Sequence, residues 1–129
     1  MTPTPAGLRL LLVEDEMMVA MMVEDLLSEL GYVVVDVAGT LARGLALAGD
    51  PNLALDGAIL DVNLGGDKVY PVAEVLAARG IPFIFATGYG IAGIAQNFSH
   101  VPALAKPYDR RTLESALRAT LQRGSGENL

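Results

Sequence analysis

The sequence contains no cysteine and no tryptophan, and only 19% of its residues are charged. The lack of cysteine excludes disulfides, thiolate metal sites and a cysteine nucleophile. Basic residues are also few, since 9 Lys and Arg against 15 Asp and Glu leave a net charge of −6. This acidic balance, with no basic run to offset it, disfavours direct binding to nucleic acid or to an anionic membrane surface.

A long uncharged segment raises the question of a membrane span, because residues 80–105 contain no Asp, Glu, Lys or Arg. Pro82, Pro102 and four glycines interrupt this segment, whereas a spanning helix needs about 20 consecutive apolar residues. We therefore interpret it as a buried strand with loops. Residues 1–8 lack the pattern of a signal peptide, and the expected location is the cytoplasm.

The remaining composition indicates one globular domain, because 52% of the 129 residues are hydrophobic. Five short apolar runs alternate with helical stretches, which is typical of βαβ units in an α/β, doubly wound parallel sheet. The predicted strands are 8–13, 33–37, 55–60, 81–86 and 103–105. The predicted helices are 16–30, 41–48, 69–79 and 110–123, with a short or mobile helix before residue 102. The expected domain covers 8–123, between disordered ends at 1–7 and 124–129.

The first predicted helix is rich in methionine. With residues about 100° apart around a helix, its core face comprises Val19, Met22, Val23, Leu26 and Leu30. Met17, Met18 and Met21 fall outside that face. Flexible thioethers beside a crevice suit docking against a partner helix, so we expect a protein contact there.

Charged and hydroxyl side chains stand where the predicted strands end. Glu14 and Asp15 follow the first strand, Asp61 the third, Thr87 the fourth and Lys106 the fifth. Ligands bind at this carboxyl edge in doubly wound sheets. Carboxylates within about 4 Å repel each other by roughly 4 kcal/mol per pair, so Lys106 and a hard divalent cation, Mg²⁺ above all, are expected to offset them.

Each acid alone has a simpler explanation. Glu14 and Asp15 suit the N-terminus of a helix, and Asp61 suits a turn before two glycines. The coincidence of such groups at four strand ends favours a site over these separate explanations.

Four segments together resemble the receiver domain of two-component response regulators. They are Leu-Leu-Val-Glu-Asp-Glu at 11–16, Ile-Leu-Asp-Val-Asn-Leu at 59–64, Phe-Ala-Thr-Gly-Tyr at 85–89 and Ala-Lys-Pro-Tyr at 105–108. The resemblance extends from residue 8 to about residue 122, and the third segment further resembles the FAT GUY subgroup. The resemblance to receiver domains implies a flavodoxin-like, CheY-like (βα)5 fold with strand order 2-1-3-4-5.

The resemblance also implies roles for the residues at the strand ends. Asp61 would accept a phosphoryl group from a sensor histidine kinase or a histidine phosphotransfer protein. Thr87 would hydrogen-bond that group and Lys106, followed by a cis peptide, would pair with its oxygens. The implied Mg²⁺ ligands are Glu14 (through water), Asp15, Asp61 and the main-chain carbonyl of Asn63. An aspartate is also chemically suited to this role, because a carboxylate can attack phosphorus once the carboxylate is positioned and the negative charge at the site is neutralised.

One position departs from the family pattern. Ala103 stands where many receivers carry a switch aromatic, three residues before the lysine. The neighbouring aromatics, Tyr89 and Tyr108, are interpreted as packing or surface residues. We expect output through contact with an unidentified downstream protein, catalysis only of the domain's own phosphorylation and dephosphorylation, and a monomer or weak homodimer.

The same residues permit other interpretations. A phosphatase with an aspartyl nucleophile would carry Asp-x-Asp on the first strand, whereas Asp61-Val62-Asn63 lies on the third. A degenerate receiver would bind partners without phosphorylation. The G-x-G-x-x-G match at 88–93 lacks the long helix and the acid of a dinucleotide site, and His100 is interpreted as a loop residue.

Overall fold

The structure, a computed structural model, describes residues 7–90 and 93–126. Its strands are β1 (Arg9–Val13), β2 (Val33–Ala38), β3 (Gly57–Asp61), β4 (Asn63–Leu64), β5 (Asp67–Lys68), β6 (Phe83–Thr87) and β7 (Ala103–Ala105). Its helices are α1 (Met17–Glu29), α2 (Leu41–Ala48), α3 (Tyr70–Ala78) and α4 (Arg110–Gly126), with a 3-10 turn at Gln96–Phe98.

Five strands form one parallel sheet in the order β2-β1-β3-β6-β7. Since β6 and β7 are the fourth and fifth strands of this sheet, the predicted order 2-1-3-4-5 and the CheY-like fold are confirmed. The other two strands, β4 and β5, form a separate antiparallel hairpin that was not predicted.

The core lies on both faces of the sheet. Successive side chains of a strand point to opposite faces, so Leu10 and Leu12 pack with α1 and α4 in one buried cluster. Leu11 and Val13 pack with α2 and α3 in the other. The central strands β1, β3 and β6 are therefore apolar along most of their length, as expected of a parallel sheet covered on two sides.

Side chains cap the N-termini of two helices, α2 and α4. The Thr40 hydroxyl accepts a hydrogen bond from the Arg43 N–H at 3.1 Å. The Asp109 carboxylate accepts one from the Thr112 N–H at 2.8 Å. Such caps satisfy main-chain donors that have no partner within the helix. The peptide bond between Lys106 and Pro107 is cis.

The predicted core face of α1 was wrong at Met22, which is 64% exposed. The buried residues of this helix are Ala20, Val23 and Leu27. The face in contact with the sheet is thus rotated from the predicted one, because the small Ala20 faces the sheet and Met22 lies beside the crevice described below. Periodicity alone did not reveal this rotation, since methionine, valine and leucine surround most of the helix.

Two element boundaries also differ from the predictions. Helix α4 continues to Gly126, so residues 124–126 are helical rather than part of a disordered tail. Before Pro102, the 3-10 turn at Gln96–Phe98 lies where a short or mobile helix was expected. Residues 91–92 of that segment, and the predicted disordered ends at 1–6 and 127–129, lie outside the described residues. None of the helices described is both long enough and apolar enough to cross a membrane.

Candidate functional site

The carboxyl ends of four sheet strands converge on one crevice. Glu14, Asp61 and Thr87 are the buried polar or charged residues of the described chain, with 4%, 5% and 2% exposure. The sheet ladder continues to them, because the Glu14 N–H donates to the Ala38 carbonyl at 2.9 Å. Asp61 pairs with Ala86 at the end of β3. The register that aligns the buried strands therefore also aligns their polar ends.

Lys106 lies between the two buried acids. Its ammonium Nζ is 2.9 Å from Glu14 Oε1 and 3.1 Å from Asp61 Oδ2. The Lys106 N–H donates to the Thr87 carbonyl at 2.8 Å, which fixes the start of this side chain on the sheet edge. The structure thus brings together three residues that the sequence analysis placed at separate strand ends.

The electrostatics of the trio are unbalanced. Burial raises the pKa of Glu14 from 4.5 to about 7, although the hydrogen bond from Lys106 opposes the rise. Burial also opposes the charge on Lys106, yet its hydrogen bonds to Glu14 and Asp61 hold the pKa of the ammonium above its usual range. One lysine therefore leaves net negative charge in a desolvated pocket, and such a pocket favours a further cation.

Three consecutive acids supply the oxygen atoms that such a cation would need. Carboxylate oxygens of Glu14, Asp15 and Glu16 lie within 4.8 Å of one another. The Glu16 N–H donates to Glu14 Oε2 at 3.1 Å and fixes the orientation of that carboxylate. An all-oxygen, anionic donor set suits a hard divalent ion such as Mg²⁺. Glu16, which the sequence analysis did not assign to the site, orients Glu14 through its main chain and is not needed as a ligand in the proposed set.

The other predicted residues, Asn63 and Thr87, have defined hydrogen-bond partners at this edge of the sheet. The Asn63 N–H donates to Asp61 Oδ1 at 3.3 Å. The Tyr89 N–H donates to the Thr87 hydroxyl oxygen at 3.1 Å. Because a hydroxyl both donates and accepts, this contact leaves the Thr87 proton available for an incoming acceptor. Asp61 and Thr87 thus each accept a hydrogen bond from the main-chain N–H of the residue two positions later in the chain.

A cleft of about 700 Å³ opens over these groups, between α1, the β4–β5 hairpin and the residues that follow β6 and β7. Tyr108 lines it, and burial together with the charge of Glu14 raises the pKa of its phenol to about 12. Tyr89 is 83% exposed at the rim. Ala103, at the position of the switch aromatic in many receivers, packs against the core on the edge strand. Tyr89 and Tyr108 line the cleft instead.

The fold and the crevice define a class: a CheY-like α/β domain with buried acids, a threonine and a lysine at one sheet edge. No protein-family model and no curated protein matches the chain, but solved structures do.

The solution structure of SdrG from Sphingomonas melonis Fr1 is 46% identical, with a TM-score of 0.77, and the match covers 88% of this chain and 95% of that one. A solution structure of the BeF3-activated conformation of SdrG from Pseudomonas melonis Fr1 is also 46% identical, with a TM-score of 0.75 and coverage of 90% and 98%. A response regulator receiver domain protein (CheY-like) from Methanospirillum hungatei JF-1 is 23% identical, with a TM-score of 0.79 and coverage of 95% and 99%.

The chain belongs to the response regulator receiver domains, which take part in two-component signalling.

Proposed function

We propose that this receiver is phosphorylated on Asp61. The observation that supports this most directly is the position of Lys106, which contacts the buried carboxylates of both Glu14 and Asp61. A phosphoryl group adds further negative charge, and a buried cation beside the acceptor is the feature that such a group requires. The BeF3-activated structure of SdrG supports the same role, because BeF3 mimics a phosphoryl group.

The proposed reaction transfers the phosphoryl group from a phosphohistidine of a sensor histidine kinase or a histidine phosphotransfer protein. An Asp61 carboxylate oxygen attacks phosphorus, a P–O bond forms, and the P–N bond to the imidazole breaks. The imidazole leaves with the bonding electron pair and takes a proton from solvent. Thr87 donates its hydroxyl hydrogen to a phosphoryl oxygen, and Lys106 moves its contact from the Asp61 carboxylate to the phosphoryl oxygens.

In this proposal Mg²⁺ is held by Glu14, through water, and by Asp15, Asp61 and the main-chain carbonyl of Asn63. When bound, the ion neutralises charge on the transferred group. The sequence Phe85-Ala86-Thr87-Gly88-Tyr89 supports the finer assignment to the FAT GUY subgroup. The domain would catalyse only its own phosphorylation and hydrolysis, and it would act in the cytoplasm by contact with a downstream protein.

Mass spectrometry after incubation with acetyl phosphate and Mg²⁺ tests the acceptor. Wild-type protein should gain one phosphoryl group, and Asp61→Asn should gain none, because an amide cannot form the acyl phosphate. A phosphoryl adduct that persists in the variant would exclude Asp61. Multiple turnover on phosphate esters by the wild type would favour the aspartyl phosphatase instead.

The exposed methionines of α1 support a docking role for this helix. Met17 is 73% exposed and Met21 is 57% exposed, beside the crevice that Met22 lines. Exposed apolar groups of this kind suit the apolar face of a kinase or phosphotransfer helix. Replacement of Met17 and Met21 by serine should slow transfer from the phosphohistidine donor but leave the rate with acetyl phosphate unchanged. Equal slowing with both donors would contradict docking at this surface.

A further inference from the structure

The β4–β5 hairpin begins two residues after Asp61, at the edge of the crevice. Its turn residues, Gly65 and Gly66, have φ values of +56° and +102°. Positive φ at both central residues is the requirement of a type I′ turn, which joins two strands with minimal length. A hairpin with two residues in each strand has little stability of its own, so its geometry at the site depends on added contacts.

The register of the hairpin determines which way the Asn63 main chain faces. Asn63 pairs with Lys68 and Leu64 with Asp67, and the Val69 N–H donates to the Val62 carbonyl at 2.9 Å. Hydrogen-bonded and non-hydrogen-bonded pairs alternate along an antiparallel ladder. Because Val62 and Val69 form a hydrogen-bonded pair, Asn63 and Lys68 form a non-hydrogen-bonded pair.

In such a pair the main-chain groups point away from the partner strand. The Asn63 N–H accordingly donates to Asp61 Oδ1 at 3.3 Å. The carbonyl of an extended residue lies on the same side as its N–H, so the Asn63 carbonyl shares the edge that faces Asp61. The hairpin therefore supplies the main-chain oxygen that the proposed metal site needs.

The same register brings the side chains of the pair together, since non-hydrogen-bonded partners have Cα atoms only about 4.5 Å apart. The Lys68 ammonium donates to the Asn63 amide oxygen. No carboxylate of the described residues lies within ion-pair distance of Lys68. The Asn63 amide is thus the partner that the structure shows for this cation, which bridges the two strands beside the turn.

We propose that Lys68 is a positioning residue for the metal site: its bridge to the Asn63 side chain holds the Asn63 main chain against Asp61. This inference rests on the proposed role of the Asn63 carbonyl. The positioning role and a purely electrostatic role of Lys68 predict opposite changes in Mg²⁺ affinity when the lysine is removed. A lysine that acted only as a nearby cation would repel Mg²⁺, and its removal would tighten Mg²⁺ binding, whereas loss of a positioning contact weakens it.

Isothermal titration of Mg²⁺ into the wild type, Lys68→Met and Lys68→Arg separates the two roles. Loss of a contact that orients a metal ligand commonly costs about 10-fold in affinity, so Lys68→Met should raise the Mg²⁺ Kd by about that factor. Lys68→Arg retains a donor and should recover most of the affinity. Asn63→Ala keeps the main-chain carbonyl but removes the bridge, so it should weaken binding to a similar extent. The double variant should add little more.

A second readout needs no metal. Amide hydrogen exchange at Asn63 in EDTA should be faster in Lys68→Met than in the wild type, while exchange in the buried β1 strand and the urea midpoint should stay unchanged. An unchanged or lower Mg²⁺ Kd in Lys68→Met would overturn the positioning role alone. Failure of the wild type to bind Mg²⁺ would overturn the proposed metal site and, with it, this inference.

Discussion

Replacement of Lys106 by methionine tests the electrostatic description of the crevice. The ammonium contacts Glu14 at 2.9 Å and Asp61 at 3.1 Å, and both carboxylates are almost fully buried. Each attraction amounts to about 5 kcal/mol at 3 Å with an effective dielectric of 20. Most of this energy offsets the cost of removing the charged groups from water. Removal of one member of a buried ion pair costs about 3–5 kcal/mol. We expect a loss of unfolding free energy of that size for Lys106→Met at pH 8.

The cost should depend on pH with a definite sign. Burial raises the pKa of Glu14 from 4.5 to about 7, so between these values the folded protein holds more protons than the unfolded chain and its stability falls as pH rises. The hydrogen bond from Lys106 opposes this rise. Loss of this hydrogen bond in Lys106→Met raises the pKa of Glu14 further. The stability of the variant therefore continues to fall with rising pH above pH 7. One such proton corresponds to about 1.4 kcal/mol per pH unit. The wild type already loses about that amount between pH 6 and pH 8, and the variant loses at most about twice as much, so the cost at pH 6 should be smaller than at pH 8 by about 1 kcal/mol.

Urea unfolding in EDTA, followed by far-ultraviolet circular dichroism, measures the loss of unfolding free energy in Lys106→Met at pH 6 and at pH 8. Arg43→Met is the matched control, because its ion pair with Asp36 has the same length, 3.1 Å, but side chains 56% and 37% exposed. An exposed pair contributes at most about 1 kcal/mol. Glu14→Gln in the Lys106→Met background should remove most of the pH dependence. A cost for Lys106→Met that is equal at pH 6 and pH 8, or that stays within the range of the control, would refute the reasoning.

Three further predictions concern the core, a helix cap and the proposed phosphoacceptor. Leu113→Ala should lower the free energy of unfolding by about 2–5 kcal/mol, because Leu113 is fully buried. Urea titration measures this loss, and Met18→Ala is the control, because Met18 is 80% exposed and its replacement should change the free energy of unfolding little. Thr40→Ala removes the cap of α2 and should cost about 1 kcal/mol; a neutral effect would contradict the cap. Asp61→Asn removes a charge that raises the pKa of Glu14, so a carbon NMR titration of Glu14 should show a lower value; an unchanged pKa would contradict the coupling.

The sheet was predictable because buried parallel strands have a sequence signature that depends on few competing effects. Residues 57–61 and 83–87 are buried at every position, and continuous apolar runs of that length have few other placements. The convergence of Glu14, Asp61 and Lys106 followed from the topology alone. Their roles in phosphoryl transfer stay predictions, which the Asp61→Asn experiment addresses.

The features that sequence reasoning missed depend on relations between elements. The β4–β5 hairpin is too short to show alternation, and only Gly65-Gly66 indicated its turn. Lys68 had no significance until the register placed it opposite Asn63. The exposure of Met22 depends on how α1 is rotated against the sheet, and a helix with apolar residues on most sides does not specify that rotation.

The precision of the crevice derives from the same ladder that stabilises the core. Asp61 pairs with Ala86 and Thr87 with Ala105, so a slip of one residue in either strand would turn its functional side chain to the opposite face and would also expose the buried strand residues. The apolar core therefore penalises every register in which the site is lost. It also holds Glu14 and Asp61 in a pocket that their own repulsion disfavours. Any cation that binds this pocket, and not the unfolded chain, must stabilise the fold, so cation binding and folding stability are linked at this edge of the sheet.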